Sequence, residues 1–212
     1  MDFKLKLKEC GVVTVAVLDS IDDALALGEI LEESGLNILE ITMRTPAAID
    51  CIKAAVKKFP KLTVGAGSVA GTSSLRQARD AGASFAVSAG LDMEIVEEAA
   101  NLGIPFVPGA ATPSELMAAL KLCKIIKIFP AALLGGPAYI NAISSPFASF
   151  EFHLMPTGGV TAENLAAYMK TERVIACGMS WLAERGLIAA KNFNAVAERA
   201  ASVVSILKAH GL

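Results

Sequence analysis

The chain has 212 residues, 54% of them apolar but only 6% aromatic, and a formal net charge of −2. That length suits one large domain with an aliphatic core of the kind a parallel sheet buries beneath helices, and interspersed charges leave no basic face for nucleic acid. The alternating Met1–Lys8 stretch lacks a signal-peptide core and no apolar run nears the roughly 18 residues of a membrane span, so the expectation is a cytoplasmic protein with a small-molecule partner and no membrane.

Residues 1–11 read as an N-terminal helix or cap. A first strand, Val12–Val17, leads to a helix at Ile21–Ser34, started by Ser20 and stopped by Gly35. Next come a strand at Ile38–Thr42 with a helix at Ala47–Phe59, and a strand at Leu62–Ala66 with a helix at Ser73–Ala81 before Gly82. Strand Phe85–Ser88 pairs with helix Met93–Leu102 before Gly103, and strand Pro105–Val107 with helix Pro113–Lys121. Strand Ile125–Phe129 precedes helix Pro137–Ile143, and strand Glu151–Met155 precedes helix Ala162–Lys170, which Thr161 caps. Val174–Cys177 and a closing helix at Asn194–Ala209 complete the set.

Eight strand–helix units without a linker predict an α/β fold, a single-domain (β/α)8 TIM barrel over residues 1–212. An open doubly wound sheet is the alternative, because a count of strands does not establish closure.

Three charged residues interrupt these strands. Lys127 breaks the apolar run Ile125–Pro130, where an ammonium must pair, reach water along its stem, or work as an amine nucleophile. Alternation puts Lys127 on one face with Ile125 and Phe129, at the strand end where barrels hold catalytic groups. On the second strand Glu40, Thr42 and Arg44 share a face, opposite Leu39, Ile41 and Met43. A structural Glu40–Arg44 ion pair accounts for two of these charges. An amine nucleophile, a proton-moving carboxylate and a guanidinium fork for a substrate carboxylate account for all three.

Gly65-Ala66-Gly67-Ser68-Val69-Ala70 formally matches a dinucleotide fingerprint, but it follows the third strand, and the next strand ends in Ser88 rather than an acid. Glycines there let a ligand approach the backbone, with Ser68 as a hydroxyl donor. Gly158, Gly159 and Ser180 follow the seventh and eighth strands, where barrels bind phosphate; tight turns explain the glycines equally well. Cys10, Cys51, Cys123 and Cys177 are far apart and His153 and His210 are the only histidines, so no metal site is expected.

Taken together, Glu40-Ile-Thr-Met-Arg44, Gly65-Ala-Gly-Ser68, Pro108-Gly109, Lys127-Ile-Phe-Pro-Ala131, Pro156-Thr-Gly-Gly159 and Ser180-Trp181 resemble the KDPG (2-keto-3-deoxy-6-phosphogluconate) aldolase family, from Val12 to Trp181. The resemblance implies a lyase of carbohydrate metabolism, a class I aldolase in which Lys127 forms a Schiff base and Glu40 relays protons. Arg44, Gly65, Gly67 and Ser68 would hold the carboxylate of the pyruvate half, and Gly158, Gly159 and Ser180 the phosphate. The products would be pyruvate and D-glyceraldehyde 3-phosphate, as in the Entner–Doudoroff pathway. The iminium is the electron sink, so the resemblance implies no cofactor, and it implies a homotrimer. It leaves open the galactonate analogue and an unphosphorylated substrate, 4-hydroxy-2-oxoglutarate, and also a non-catalytic sugar-phosphate barrel. Four positions depart from the family pattern: Ser68 for Thr, Ala89 for Pro, Ala132 for Glu and Met179 for Gly. Met179 is expected to narrow the phosphate pocket or to strain its loop.

Overall fold

The Ser20 hydroxyl accepts the Asp23 amide at 3.2 Å, and the helix it starts runs Ile21–Ser34 until Gly35 turns left-handed at φ 81°. Asp92 and Gly103 bracket Met93–Leu102 in the same way. Such stop and start signals let short strands and helices alternate along the whole chain. The computed structural model describes residues 2–211. Its strands are β1 (Val12–Ala16), β2 (Ile38–Thr42), β3 (Thr63–Gly67), β4 (Ala86–Val87), β5 (Phe106–Val107), β6 (Gly109–Ala110), β7 (Ile125–Ile128), β8 (His153–Pro156) and β9 (Cys177–Met179). The α-helices are α1 (Phe3–Cys10), α2 (Ile21–Ser34), α3 (Ala48–Lys58), α4 (Thr72–Asp80), α5 (Met93–Leu102), α6 (Pro113–Leu120), α7 (Gly136–Ser144), α8 (Ala162–Met169), α9 (Arg185–Ala189) and α10 (Phe193–Ala209).

All strand pairs are parallel, in a six-stranded sheet ordered β5-β4-β3-β2-β1-β9 and a three-stranded sheet ordered β6-β7-β8. The fold is α/β with parallel sheets, but the ladder is not one run of eight strands. The fifth predicted strand, Pro105–Val107, is β5, and an unpredicted short strand, β6, follows beyond Pro108, which has no N–H to donate. Isolated bridges, Leu154↔Val174 and Thr157↔Gly178, link β8 to the β9 segment.

Alternation sorts the apolar side chains into two cores. Leu39, Ile41, Val64, Ala66, Ile126 and Ile128 join a large cluster with helix residues such as Leu27, Ile52 and Leu165. Val13, Val15, Ile38, Phe85, Val107 and Met155 point the other way and form a smaller cluster with Phe3 and Leu7 of α1. Phe3 stacks on Phe85 at 4.6 Å between ring centroids. So α1 seals the strands' N-terminal end, where Lys6 Nζ donates to the buried Thr63 Oγ1.

The last predicted strand was misplaced. Val174–Cys177 carries the apolar run, yet β9 is Cys177–Met179, because Gly178 acts as a strand residue rather than a turn. A Cβ on Gly178 would overlap the Thr157 side chain, so glycine is what lets β8 and β9 approach. The shift also corrects the reading of Met179. Its side chain is fully buried among the sheet-to-helix residues, not in a pocket at the strand ends. Met179→Ala should therefore lower the unfolding free energy in urea by about 2–5 kcal/mol through the cavity it leaves. A loss under about 0.5 kcal/mol, the value for surface positions, would show that Met179 does not pack in the core.

Candidate active site

β2 runs in register with β3, Glu40 opposite Gly65 and Thr42 opposite Gly67. The two glycines do different work. A Cβ on Gly65 would overlap the Phe85 ring, so Gly65 makes room for the interior core rather than for a ligand at the strand ends. A Cβ on Gly67 would overlap Glu40 Oε1, so the bare backbone there lets the carboxylate lie flat against β3. Ser68 follows in the left-handed region at φ 56°, a conformation that costs a non-glycine residue about 1 kcal/mol or more and clusters at functional sites.

From the opposite side β7 brings Lys127, paired in register with Gly109 on β6 and Met155 on β8. Lys127 Nζ lies 3.9 Å from Glu40 Oε1 across the interior and 5.3 Å from the centroid of the Phe129 ring. Both charged residues are buried, Glu40 1% and Lys127 6% exposed. At an effective dielectric near 20 their attraction is worth about 4 kcal/mol, against a desolvation cost of several kcal/mol for each ion. Burial dominates at Glu40: it pushes the carboxyl above the ordinary glutamate range, and the nearby charges of Lys127 and then Arg44 only partly oppose it. A carboxyl held up in this way is suited to give a proton as well as take one. The alternative reading, a structural Glu40–Arg44 ion pair, does not hold: the carboxylate pairs with Lys127 instead.

Arg44 lies in the turn beyond β2 and is exposed. It opens, with Ser180 and Arg185, onto a cavity of about 320 Å³ that Val15, Val17, Ala183 and Glu184 also line. The Gly158-Gly159 turn lies next to Ser180, because the Thr157↔Gly178 bridge aligns the ends of β8 and β9. Both glycines are left-handed, at φ 94° and 75°. Gly158 carries the turn over Phe129, and a Cβ on Gly159 would overlap that of Ala132. Asn164 Nδ2 donates to the Gly159 carbonyl at 2.9 Å and its Oδ1 accepts the Thr161 amide at 2.9 Å, fixing this turn against the start of α8. Ala132 therefore sits against the glycine turn, where a glutamate would have put a negative charge.

The structure also brings in residues that the sequence reading left without a role. Phe129 lies beneath the ammonium of Lys127, and Thr42 and Thr157 are buried hydroxyls on interior-facing positions. Their signal was present in strand alternation, but threonine is common enough in strands to pass unremarked. His153 begins β8 at the other end of the molecule, in a separate cavity of about 1210 Å³ with Lys4, Lys8 and Arg173. Among the described residues no group of three His, Cys, Asp or Glu side chains is placed to hold a metal.

A buried lysine on one strand faces a buried carboxyl across a parallel α/β scaffold, the pairing that amine-nucleophile chemistry uses. Residues 3–199 match the family "Aldolase: KDPG and KHG aldolase". The chain is 35% identical to the 2-dehydro-3-deoxy-phosphogluconate aldolase of Haemophilus influenzae over 96% of its own length and 95% of that protein's. It is also 35% identical to the KHG/KDPG aldolase of Escherichia coli K12, over 91% and 90%. A crystal structure of KDPG aldolase from Legionella pneumophila, with pyruvate captured as a covalent carbinolamine intermediate, superposes with a TM-score of 0.89 at 33% identity, covering 96% of this chain and 98% of that one. The chain belongs to the KDPG and KHG aldolase family: it is a lyase, a class I aldolase that works through a Schiff base.

The raised Glu40 carboxyl has a consequence for stability. With its folded pKa above the unfolded value near 4.5, Glu40 supports the fold fully below that pH, and the support is lost as pH rises through the folded pKa. Urea unfolding from pH 4.5 to 8 should show wild type losing stability relative to Glu40→Gln as pH rises. A gap that widens in favour of wild type would mean that the carboxyl is lowered instead.

Proposed function

We propose that this chain cleaves 2-keto-3-deoxy-6-phosphogluconate to pyruvate and D-glyceraldehyde 3-phosphate, with Lys127 as the imine-forming amine and Glu40 as the acid–base group. The observation that carries the assignment is the 3.9 Å approach of two buried groups, Lys127 Nζ and Glu40 Oε1. The Lys127 ammonium passes a proton to the Glu40 carboxylate, the freed amine adds to the C2 ketone, and the Glu40 carboxyl protonates the oxygen. Glu40 then takes a proton from the nitrogen, giving the neutral carbinolamine, and returns it to the hydroxyl, which leaves as water. The resulting iminium draws in the C3–C4 electron pair while the Glu40 carboxylate removes the C4 hydroxyl proton. Aldehyde departs, Glu40 protonates C3 of the enamine, and water releases pyruvate with the amine restored.

At the C1 end Arg44, with Gly67 and Ser68 at the end of β3, would receive the carboxylate. Gly65 serves this arrangement from beneath, by admitting Phe85. At the other end the bare N–H groups of Gly158 and Gly159 and the Ser180 hydroxyl would take the phosphate. Two placements support a phosphorylated substrate: Met179 is turned into the outer core, away from that turn, and Ala132 puts no carboxylate beside it.

We take the two sheets as parts of one closed (β/α)8 barrel forming a single domain. The β8–β9 bridges at one seam support this, as does the bond from Lys127 N to the Pro108 carbonyl between β5 and β6 at the other. The protein is further proposed to be cytoplasmic and homotrimeric. The described residues contain no helix long and apolar enough to cross a membrane, and Leu133, 87% exposed beside the site, suits burial against another copy.

Cleavage of the 6-phosphorylated substrate and of 4-hydroxy-2-oxoglutarate, each followed through pyruvate release, tests the substrate assignment. Hydrogen bonds to a charged group imply a kcat/KM preference for the phosphate on the order of a hundredfold. Equal or better cleavage of the unphosphorylated compound would reject it.

A further inference from the structure

Two threonine hydroxyls on neighbouring strands are buried and have no hydrogen-bond partner among the described residues, Thr14 Oγ1 on β1 and Thr42 Oγ1 on β2. Buried hydroxyls are normally satisfied, and an orphan costs stability that a methyl group of the same shape would not. Their surroundings differ. Thr14 lies between Val13 and Val15, which face the interior cluster, so it shares the outward face with Val12 and Ala16 beneath the helices. Thr42 is 1% exposed and lies on the interior face of β2, two residues beyond Glu40 and two before Arg44. The same strand holds a second orphan, Glu40 Oε2. Opposite Thr42 in the ladder is Gly67, which has no side chain to supply a partner and whose bare Cα is covered by the Glu40 carboxyl. Two unsatisfied polar atoms, Glu40 Oε2 and Thr42 Oγ1, therefore lie along this strand on the approach to Arg44.

We infer that Thr42 is a substrate-binding residue, whose hydroxyl donates a hydrogen bond to the carboxylate of the 2-oxo acid held between Glu40 and Arg44. The inference rests on the reading of Lys127 as the imine lysine, because that lysine fixes where C2, and hence the adjoining carboxylate, must lie. The donor is neutral, so it adds a directed contact without a further buried charge. It serves the pyruvate half of any substrate, phosphorylated or not.

The test measures the borohydride-trapped pyruvate adduct as a function of pyruvate concentration, together with urea unfolding, for wild type, Thr42→Val, Thr42→Ser and Thr14→Val. Thr42→Val should unfold at equal or higher urea concentration than wild type, because the orphan hydroxyl is gone. It should also need on the order of tenfold to a hundredfold more pyruvate for half-maximal trapping. Thr42→Ser should restore most of that affinity, and Thr14→Val should match wild type in trapping. Unchanged pyruvate dependence in Thr42→Val, or an equal loss in Thr14→Val, would overturn the assignment. Wild-type protein that forms no adduct would instead overturn the reading of Lys127 on which it rests.

Discussion

The structure depends on keeping two opposite charges out of water, 3.9 Å apart, in a molecule whose interior is otherwise largely apolar. Neither charge is tolerable alone at that depth. Removing one partner of a buried pair typically costs 3–5 kcal/mol, whereas a matched apolar pair would do as well or better for stability alone. Such a pair is an expensive way to stabilise a fold and a direct way to build an amine beside a proton donor. The raised carboxyl of Glu40 follows from the same burial that makes the pair costly.

Much of the scaffold's detail serves that pair. Helix α1 closes the N-terminal end, with Phe3 stacked on Phe85 and Lys6 Nζ donating to Thr63 Oγ1 at 2.8 Å, so water is excluded from below. Glycine then shapes the interior where side chains cannot fit: Gly65 beneath Phe85, Gly67 beside Glu40 and Gly178 against Thr157. Each exchanges a side chain for a close approach, and all three lie on strands rather than turns. The left-handed Gly158 and Gly159 do the opposite, bending the chain away from β8 so that N–H groups stand free at its end.

The site was legible because charge inside an apolar strand has few explanations. Alternation alone put Glu40, Thr42 and Arg44 on one face and Lys127 towards the interior, and the structure keeps that order. The helix Ile21–Ser34 was readable to its ends because Ser20 and Gly35 punctuate it chemically. What failed was long-range. The strand Cys177–Met179 depends on Gly178, whose bare Cα is required by the Thr157 side chain twenty-one positions away, and that same strand turns Met179 into the core. The separate strand β6 beyond Pro108 depends on how β5 and β6 pair with different partners, which periodicity does not contain. Gly65 was assigned to the ligand because its real neighbour, Phe85, is set by the fold rather than by the local motif.

The central claim is that the ammonium breaking the Ile125–Ile128 strand is the amine that becomes an imine. Incubating the protein with pyruvate and borohydride, then mapping the modified peptide by mass spectrometry, tests it most directly. A single pyruvate adduct on Lys127, lost in Lys127→Ala, is the predicted result; an adduct on another lysine, or one that persists in the alanine variant, would contradict it.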